Sequence, residues 1–148
     1  MEKKSKRMRA FRIHALIAIA ALALEFALGM HTALFVEFPE TLAKGNAWLW
    51  SMQESFVTMA HVVLGTLLMA ISFSALGFGI AARSRAAIVS SALGLAMVGL
   101  SYMSGAVFLS NIAKDAYSFS MALGFLGAIV AYGLAFYFTR SSISSESS

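Results

Sequence analysis

Four long apolar runs dominate this 148-residue chain and restrict it to a membrane fold. They cover residues 13–36, 55–80, 86–109 and 117–139. Each exceeds the ~20 residues that cross ~30 Å of hydrocarbon as a helix. Because the bilayer offers no water to backbone polar groups, and because no alternating strand pattern accompanies the runs, we predict an all-α protein with four membrane-spanning helices. The composition agrees, since 59% of the residues are hydrophobic and only 12% are charged.

The basic residues predict how these helices are oriented. They precede the first run (residues 3–12), separate the second from the third (Arg83 and Arg85) and follow the fourth (Arg140). Only Lys44 and Lys114 occupy the other two connections. Since basic residues favour the cytoplasmic side, we expect both termini in the cytoplasm and a multi-pass protein of a prokaryotic plasma membrane. The net charge of +4 has the same origin and does not indicate a nucleic-acid partner.

Short connections predict one domain over residues 1–140, an up-down-up-down four-helix bundle. The turn at residues 82–85 and the segment 110–116 are too short to join anything but antiparallel neighbours. The longer connection, 37–54, carries two tryptophans and is typical of a short helix at the membrane interface. The serine-rich segment 141–148 is predicted to be a disordered cytoplasmic tail.

The chain has no cysteine, which limits its chemistry. Disulfides, thiolate metal sites, iron–sulfur ligation and covalent c-type haem attachment are thereby excluded. No nucleotide-binding or hydrolase motif is present either. The pattern therefore favours an electron-transfer or accessory subunit over a stand-alone enzyme.

Two histidines within the apolar runs are the main candidates for function. His31 near the end of the first run and His61 near the start of the second should reach similar levels in antiparallel helices. An imidazole in hydrocarbon is costly, and it is a common metal ligand. One turn deeper, Ala27 and Gly65 would leave room for a flat cofactor, so haem b held between His31 and His61 is one interpretation. Hydrogen bonding across helices is the alternative.

Two further side chains belong to the candidate set. Met121, at the same level in the fourth run, could join the histidines in a haem site or, alternatively, a copper site, since both metals accept thioether ligands. Glu25, in the middle of the first helix, is an ionisable group in hydrocarbon and a candidate proton carrier. It should point to a different side of the helix from His31. Core packing of Met121, and a structural bond from Glu25 to Tyr102 or a serine, remain open.

Glu54, His61 and the stretch Ala60–Gly65 resemble the second helix of the haem-binding four-helix bundle of haem A synthase and, more loosely, of bacterial cytochrome b561-type proteins. The resemblance implies that His61 is a haem ligand and that Glu54 is the acid preceding it, a second candidate proton carrier. It places the fourth-helix ligand near Met121, where the synthase family has histidine. That departure speaks against the synthase reaction and makes His31 the second ligand.

These observations predict a small b-type cytochrome or haem-binding subunit that transfers electrons near the outer membrane face. Its expected partners are the bilayer, a quinone, and a larger complex or further copies of itself. One alternative is a non-catalytic subunit of a respiratory oxidase or oxygenase, in which the buried polar residues serve only contacts. Another is a haem-modifying enzyme or a copper-handling protein.

Overall fold

The computed structural model describes residues 2–37, 47–111 and 115–144, and nearly all of these are helical. The helices are α1 (Glu2–Phe35), α2 (Ala47–Glu54), α3 (Phe56–Ala81), α4 (Arg85–Asn111) and α5 (Asp115–Ser144). Within these ranges no strand is found. The four long helices are long and apolar enough to cross a membrane, as the sequence predicts.

The long helices extend beyond the apolar runs at both ends of the chain. α1 already begins at Glu2, so the basic segment before the first run is itself helical. Lysine and arginine are good helix formers, and extending an existing membrane-spanning helix costs less free energy than starting a new one. α5 continues to Ser144, into the segment predicted to be a disordered tail, whereas residues 145–148 lie outside the described ranges.

A tight turn joins α3 to α4. Arg83 adopts a left-handed conformation, with φ of 53°. The Ser84 side chain then accepts a hydrogen bond from the Ala87 N–H at 3.4 Å at the start of α4. Arg7 Nη1 of α1 donates to the Ala81 carbonyl at 3.0 Å and so covers the end of α3. We call this end of the bundle, with the start of α1 and the α3–α4 turn, the basic end, and the opposite end, where α3 begins, the α2 end.

α1 and α3 pack along a regular seam, and their contacts run in opposite directions along the two helices. Arg7 contacts Ala81, the rings of His14 and Phe78 lie 4.3 Å apart, and Glu25 meets His61. Inward-facing residues alternate at spacings of three and four, as in left-handed helix packing. The seam residues are Met8, Phe11, Ala15, Ala18, Leu22, Glu25, Gly29 and Thr32 on α1, and Thr58, His61, Gly65, Leu68, Ser72, Ala75 and Gly79 on α3.

The core is closely packed at the basic end and open at the α2 end. Met8, Phe11, Ala82, Ala87 and Ala135 form one buried cluster near the basic end. A second buried cluster follows at mid-bundle, comprising Ala15, Ala18, Leu22, Leu68, Ala75, Val98, Ala128 and Tyr132. Alanine supplies three of the five residues of the first cluster and four of the eight of the second, so the helices approach closely there. From Leu22 and Leu68 toward the α2 end, the α1–α3 seam contains polar residues and the helices surround a cavity.

Candidate functional site

A cavity of about 570 Å³ lies between α1, α3, α4 and α5 in the half of the bundle nearer the α2 end. Its walls are mostly apolar. They extend from Leu22, Leu68 and Val98 in the mid-bundle core to Thr32, Leu109 and Ser118 near the helix ends. At ~1.5 Å of rise per residue, Leu22 and Thr32 are about 15 Å apart along α1, about half the thickness of a bilayer core.

Glu25 and His61 form a close polar pair on the cavity wall. The Oε1 of Glu25 lies 3.0 Å from Nδ1 of His61, with 14% and 27% of the respective side chains exposed. Nδ1 nevertheless has no aligned hydrogen bond to any described residue. The contact is therefore an electrostatic pairing at short distance, in which the two atoms are not in line for a strong hydrogen bond.

Two glycines make room for this pair, one on each helix. A Cβ added at Gly65 would lie 2.9 Å from Oε1 of Glu25, and one added at Gly29 would lie 3.1 Å from Cε1 of His61. Each polar side chain thus occupies the space left by the missing side chain of the opposite helix. Small residues at an interface permit such close approach. The pairing therefore depends on glycine at both positions.

Four buried polar atoms on this wall lack hydrogen-bond partners among the described residues. They are Oε2 of Glu25, Nδ1 of His61, and the Oγ1 atoms of Thr32 and Thr58. Three other buried hydroxyls of the bundle, those of Ser72, Ser91 and Thr139, donate to the carbonyl four residues earlier. A buried polar group without a partner costs about 1–3 kcal/mol. These four atoms are therefore available to water or to a bound molecule.

The structure brings together some of the predicted site residues and separates others. Glu25, His61, Gly65 and Met121 all line the cavity. His31 and Ala27 do not. Both are exposed on the outer side of α1, where the His31 ring lies 5.0 Å from that of Phe35.

The structure therefore does not bring His31 and His61 together, and of the two only His61 lines the cavity. The α1 seam passes through Glu25, Gly29 and Thr32, and His31 lies on a different face of the helix. Glu25 does point to a different side from His31, as the sequence predicts. Its partner is His61, whereas Tyr102, the partner considered from the sequence, also lines the cavity.

Met121 enters the cavity from α5. Its Sδ would lie 3.3 Å from a Cβ added at Gly105 of α4, and its carbonyl accepts a hydrogen bond from Ser101 Oγ at 2.7 Å. The Glu54 side chain lies outside the described part of the structure, so the acid implied by the resemblance has no assigned position. In the described ranges no three histidine, cysteine, aspartate or glutamate residues gather as a metal site.

Sequence reasoning missed the Glu25–His61 pair and the roles of Gly29, Thr32 and Thr58. A usable signal was present, because all of these residues continue the three-and-four spacing of the small and apolar residues earlier in α1 and later in α3. When that spacing is extended along α1 toward the α2 end, Glu25 faces α3 and His31 faces away from α3.

Fold and site together define an all-helical protein with four potential membrane spans and a polar pair on the wall of an apolar cavity. No family model, curated protein or solved structure matches this chain.

Proposed function

We propose that this chain is a membrane haem-binding protein that transfers electrons, with His61 as an axial ligand of a b-type haem in the cavity. In this proposal the four long helices cross the membrane as an up-down bundle with both termini in the cytoplasm. The basic residues at one end of the bundle support that orientation. The α2 end, with the cavity, then faces the outer side.

The Glu25–His61 pair is the observation that carries the proposal. A histidine that binds a metal commonly presents its other ring nitrogen to a carboxylate, which fixes the ring and raises its basicity as a ligand. Glu25 lies beside Nδ1 of His61, so Nε2 would be the ring nitrogen that holds the iron. The cavity is mainly apolar and has a volume of about 570 Å³, which suits a porphyrin.

The donor set fits one imidazole and one thioether. Met121 is the only other candidate ligand from the sequence that lines the cavity within the described residues, whereas His31 does not line it. Haem supplies reversible one-electron transfer when bound, and a methionine ligand favours a higher reduction potential than a second histidine. The chain would then hold the haem between α3 and α5, with Glu25 as a positioning residue.

A second candidate is a non-catalytic subunit of a larger membrane complex. The packing of Glu25 against Gly65 and of His61 against Gly29 favours this candidate, because it would align α1 with α3 without any cofactor. This candidate predicts a colourless protein whose Glu25–His61 pair serves only to align the helices.

Absorption spectra of the protein test the haem proposal. The chain is expressed with a haem supply and purified in detergent, and oxidised and dithionite-reduced spectra are recorded with pyridine haemochrome quantitation. We expect a b-type spectrum that His61→Ala abolishes. His31→Ala is the matched control and should keep the haem, while Met121→Leu should keep it with a lower reduction potential. A colourless wild-type protein, or equal loss of haem in the two histidine variants, contradicts the proposal.

A further inference from the structure

Polar side chains follow the facing sides of α1 and α3 from the α2 end to the middle of the bundle. Thr58 and Thr32 come first, followed by His61 and then Glu25, and all four line the cavity. We propose that they form a one-sided water path from the aqueous phase at the α2 end to Glu25, closed at Leu22 and Leu68. This inference goes beyond haem binding and concerns the chain without haem in the cavity, because haem and water would occupy the same space.

The two threonine hydroxyls are the first support. Thr32 and Thr58 are only 8% and 2% exposed, and neither Oγ1 has a hydrogen-bond partner among the described residues. Thr66 and Thr139, in the same bundle, instead donate to the carbonyls of Val62 and Ala135. A hydroxyl left without that bond in an apolar wall is costly unless water or another group completes it.

The space available is the second support. A water molecule needs roughly 10–15 Å³ of probe volume and two to four polar partners. The cavity of about 570 Å³ offers the volume, and the two threonine hydroxyls and Oε2 of Glu25 are unpaired polar atoms at successive levels of its wall. Water molecules between them would stabilise these three groups.

The α1–α3 seam becomes apolar on the side of Glu25 that faces the basic end. Leu22 and Leu68 are 2% and 3% exposed and belong to the mid-bundle cluster that also contains Ala18 and Val98. From there to the basic end the described core is mostly apolar, and its buried hydroxyls at Ser72, Ser91 and Thr139 donate to carbonyls of their own helices. The hydroxyl of Tyr132, a fully buried residue, has no hydrogen-bond partner among the described residues. Leu22 and Leu68 therefore close the path, and water reaches Glu25 from the α2 end. Tyr102 of α4 is the remaining titratable group on the described cavity wall.

Cysteine accessibility tests the path directly, because the natural chain has no cysteine and each introduced thiol is unique. Thr32→Cys, Glu25→Cys and Leu22→Cys lie along one face of α1, from the open end past the closure. Leu24→Cys is the matched control at the depth of Glu25, since Leu24 is 55% exposed on the outer surface of α1. A charged, membrane-impermeant methanethiosulfonate reagent is applied to sealed vesicles. Gln53→Cys on α2 and Arg83→Cys in the turn identify which end of the bundle faces the reagent.

We expect Thr32→Cys and Glu25→Cys to react about tenfold or more faster than Leu22→Cys and Leu24→Cys, because the reactive thiolate forms in water and not in apolar surroundings. Reaction should occur only from the side that labels Gln53→Cys. Equal rates at all four positions, or labelling of Glu25→Cys from the Arg83 side, overturns the path. If Glu25→Cys does not yield a monodisperse protein, Thr58→Cys replaces it under the same criteria.

A second measurement needs no labelling. Thr58→Val and Thr32→Val keep the shape of the side chain and remove its hydroxyl. If water bonds to the hydroxyls, valine should lower the melting temperature in detergent. An unchanged or raised melting temperature in both variants indicates dry, unpaired hydroxyls and contradicts the path. Absorption spectra of the same preparations separate the two proposals, because they give the haem content of each preparation and so allow thiol access to be compared in haem-free protein.

Discussion

The Glu25 carboxylate and the His61 imidazole meet between α1 and α3 with 3.0 Å between Oε1 and Nδ1, each against a glycine of the opposite helix. The buried atoms Oε2 of Glu25 and Nδ1 of His61 have no hydrogen-bond partner among the described residues. In surroundings of low polarity, the attraction between the two groups is therefore the main interaction that offsets the free energy of burying each of them. Their coupling can be measured.

Leucine substitutions should reveal that coupling. Glu25→Leu and His61→Leu each leave one polar group facing apolar surroundings, so both should lower the free energy of unfolding. The double variant leaves none and should lose less than the two single variants combined. We expect a coupling of about 1–2 kcal/mol, in the range of polar contacts between membrane helices. Reversible unfolding in mixed detergent micelles gives the four values of the cycle, and strictly additive values would show that the pair contributes nothing.

Gly65→Ala should disturb the pair without unfolding the bundle. The new Cβ would lie 2.9 Å from Oε1 of Glu25, and the end of that flexible side chain can move away at little cost. The His61 ring then loses its carboxylate neighbour. Nitrogen-15 NMR of the histidine rings in micelles should show a changed His61 environment with near-native thermal stability. Gly77→Ala is the control on the same helix, because no atom lies within 4 Å of a Cβ there. An unchanged His61 signal in Gly65→Ala would contradict the expectation.

The number and approximate extent of the long helices could be predicted from the sequence, because the hydrocarbon thickness and the need for internal backbone hydrogen bonds leave few alternatives to an apolar run. The site was harder to predict. His31 and His61 have similar chemistry, and depth alone would place both in one site. Which face of α1 turns inward depends on small residues such as Ala15, Ala18 and Gly29, which carry little hydrophobic signal of their own.

The start of α1 shows a different limit. Hydropathy identifies the segment that the bilayer requires to be helical, but Lys3 to Arg12 lie outside that segment. Their helical state follows from propensity and from contacts such as that of Arg7 with the Ala81 carbonyl. Such a contact joins distant parts of the chain and leaves no periodic pattern in the sequence.

Two glycines of α5 should respond in opposite directions to alanine. At Gly124 a Cβ would lie 2.6 Å from Oγ of Ser101 and 2.7 Å from the Met97 carbonyl, so α4 and α5 must separate. Overpacking of this kind typically costs about 1–3 kcal/mol. At Gly133 nothing lies within 4 Å, and alanine should stabilise the helix by up to about 1 kcal/mol through its higher propensity. Melting temperatures in one detergent compare the two variants, and a similar shift in both would contradict the close α4–α5 contact.

Ser101 joins α4 to α5 at the wall of the cavity. Its Oγ donates to the Met121 carbonyl at 2.7 Å, whereas Ser110 donates to the Ala106 carbonyl at 2.8 Å within its own helix. Ser101→Ala removes a contact between helices, and Ser110→Ala removes only a local bond, while both gain the same helix propensity. We expect Ser101→Ala to be less stable than Ser110→Ala by about 0.6 kcal/mol, the average for hydrogen bonds between membrane helices. Unfolding of the two variants under identical conditions measures this difference in stability. Equal stabilities would show that the bond from Ser101 to the Met121 carbonyl does not hold α5 against α4.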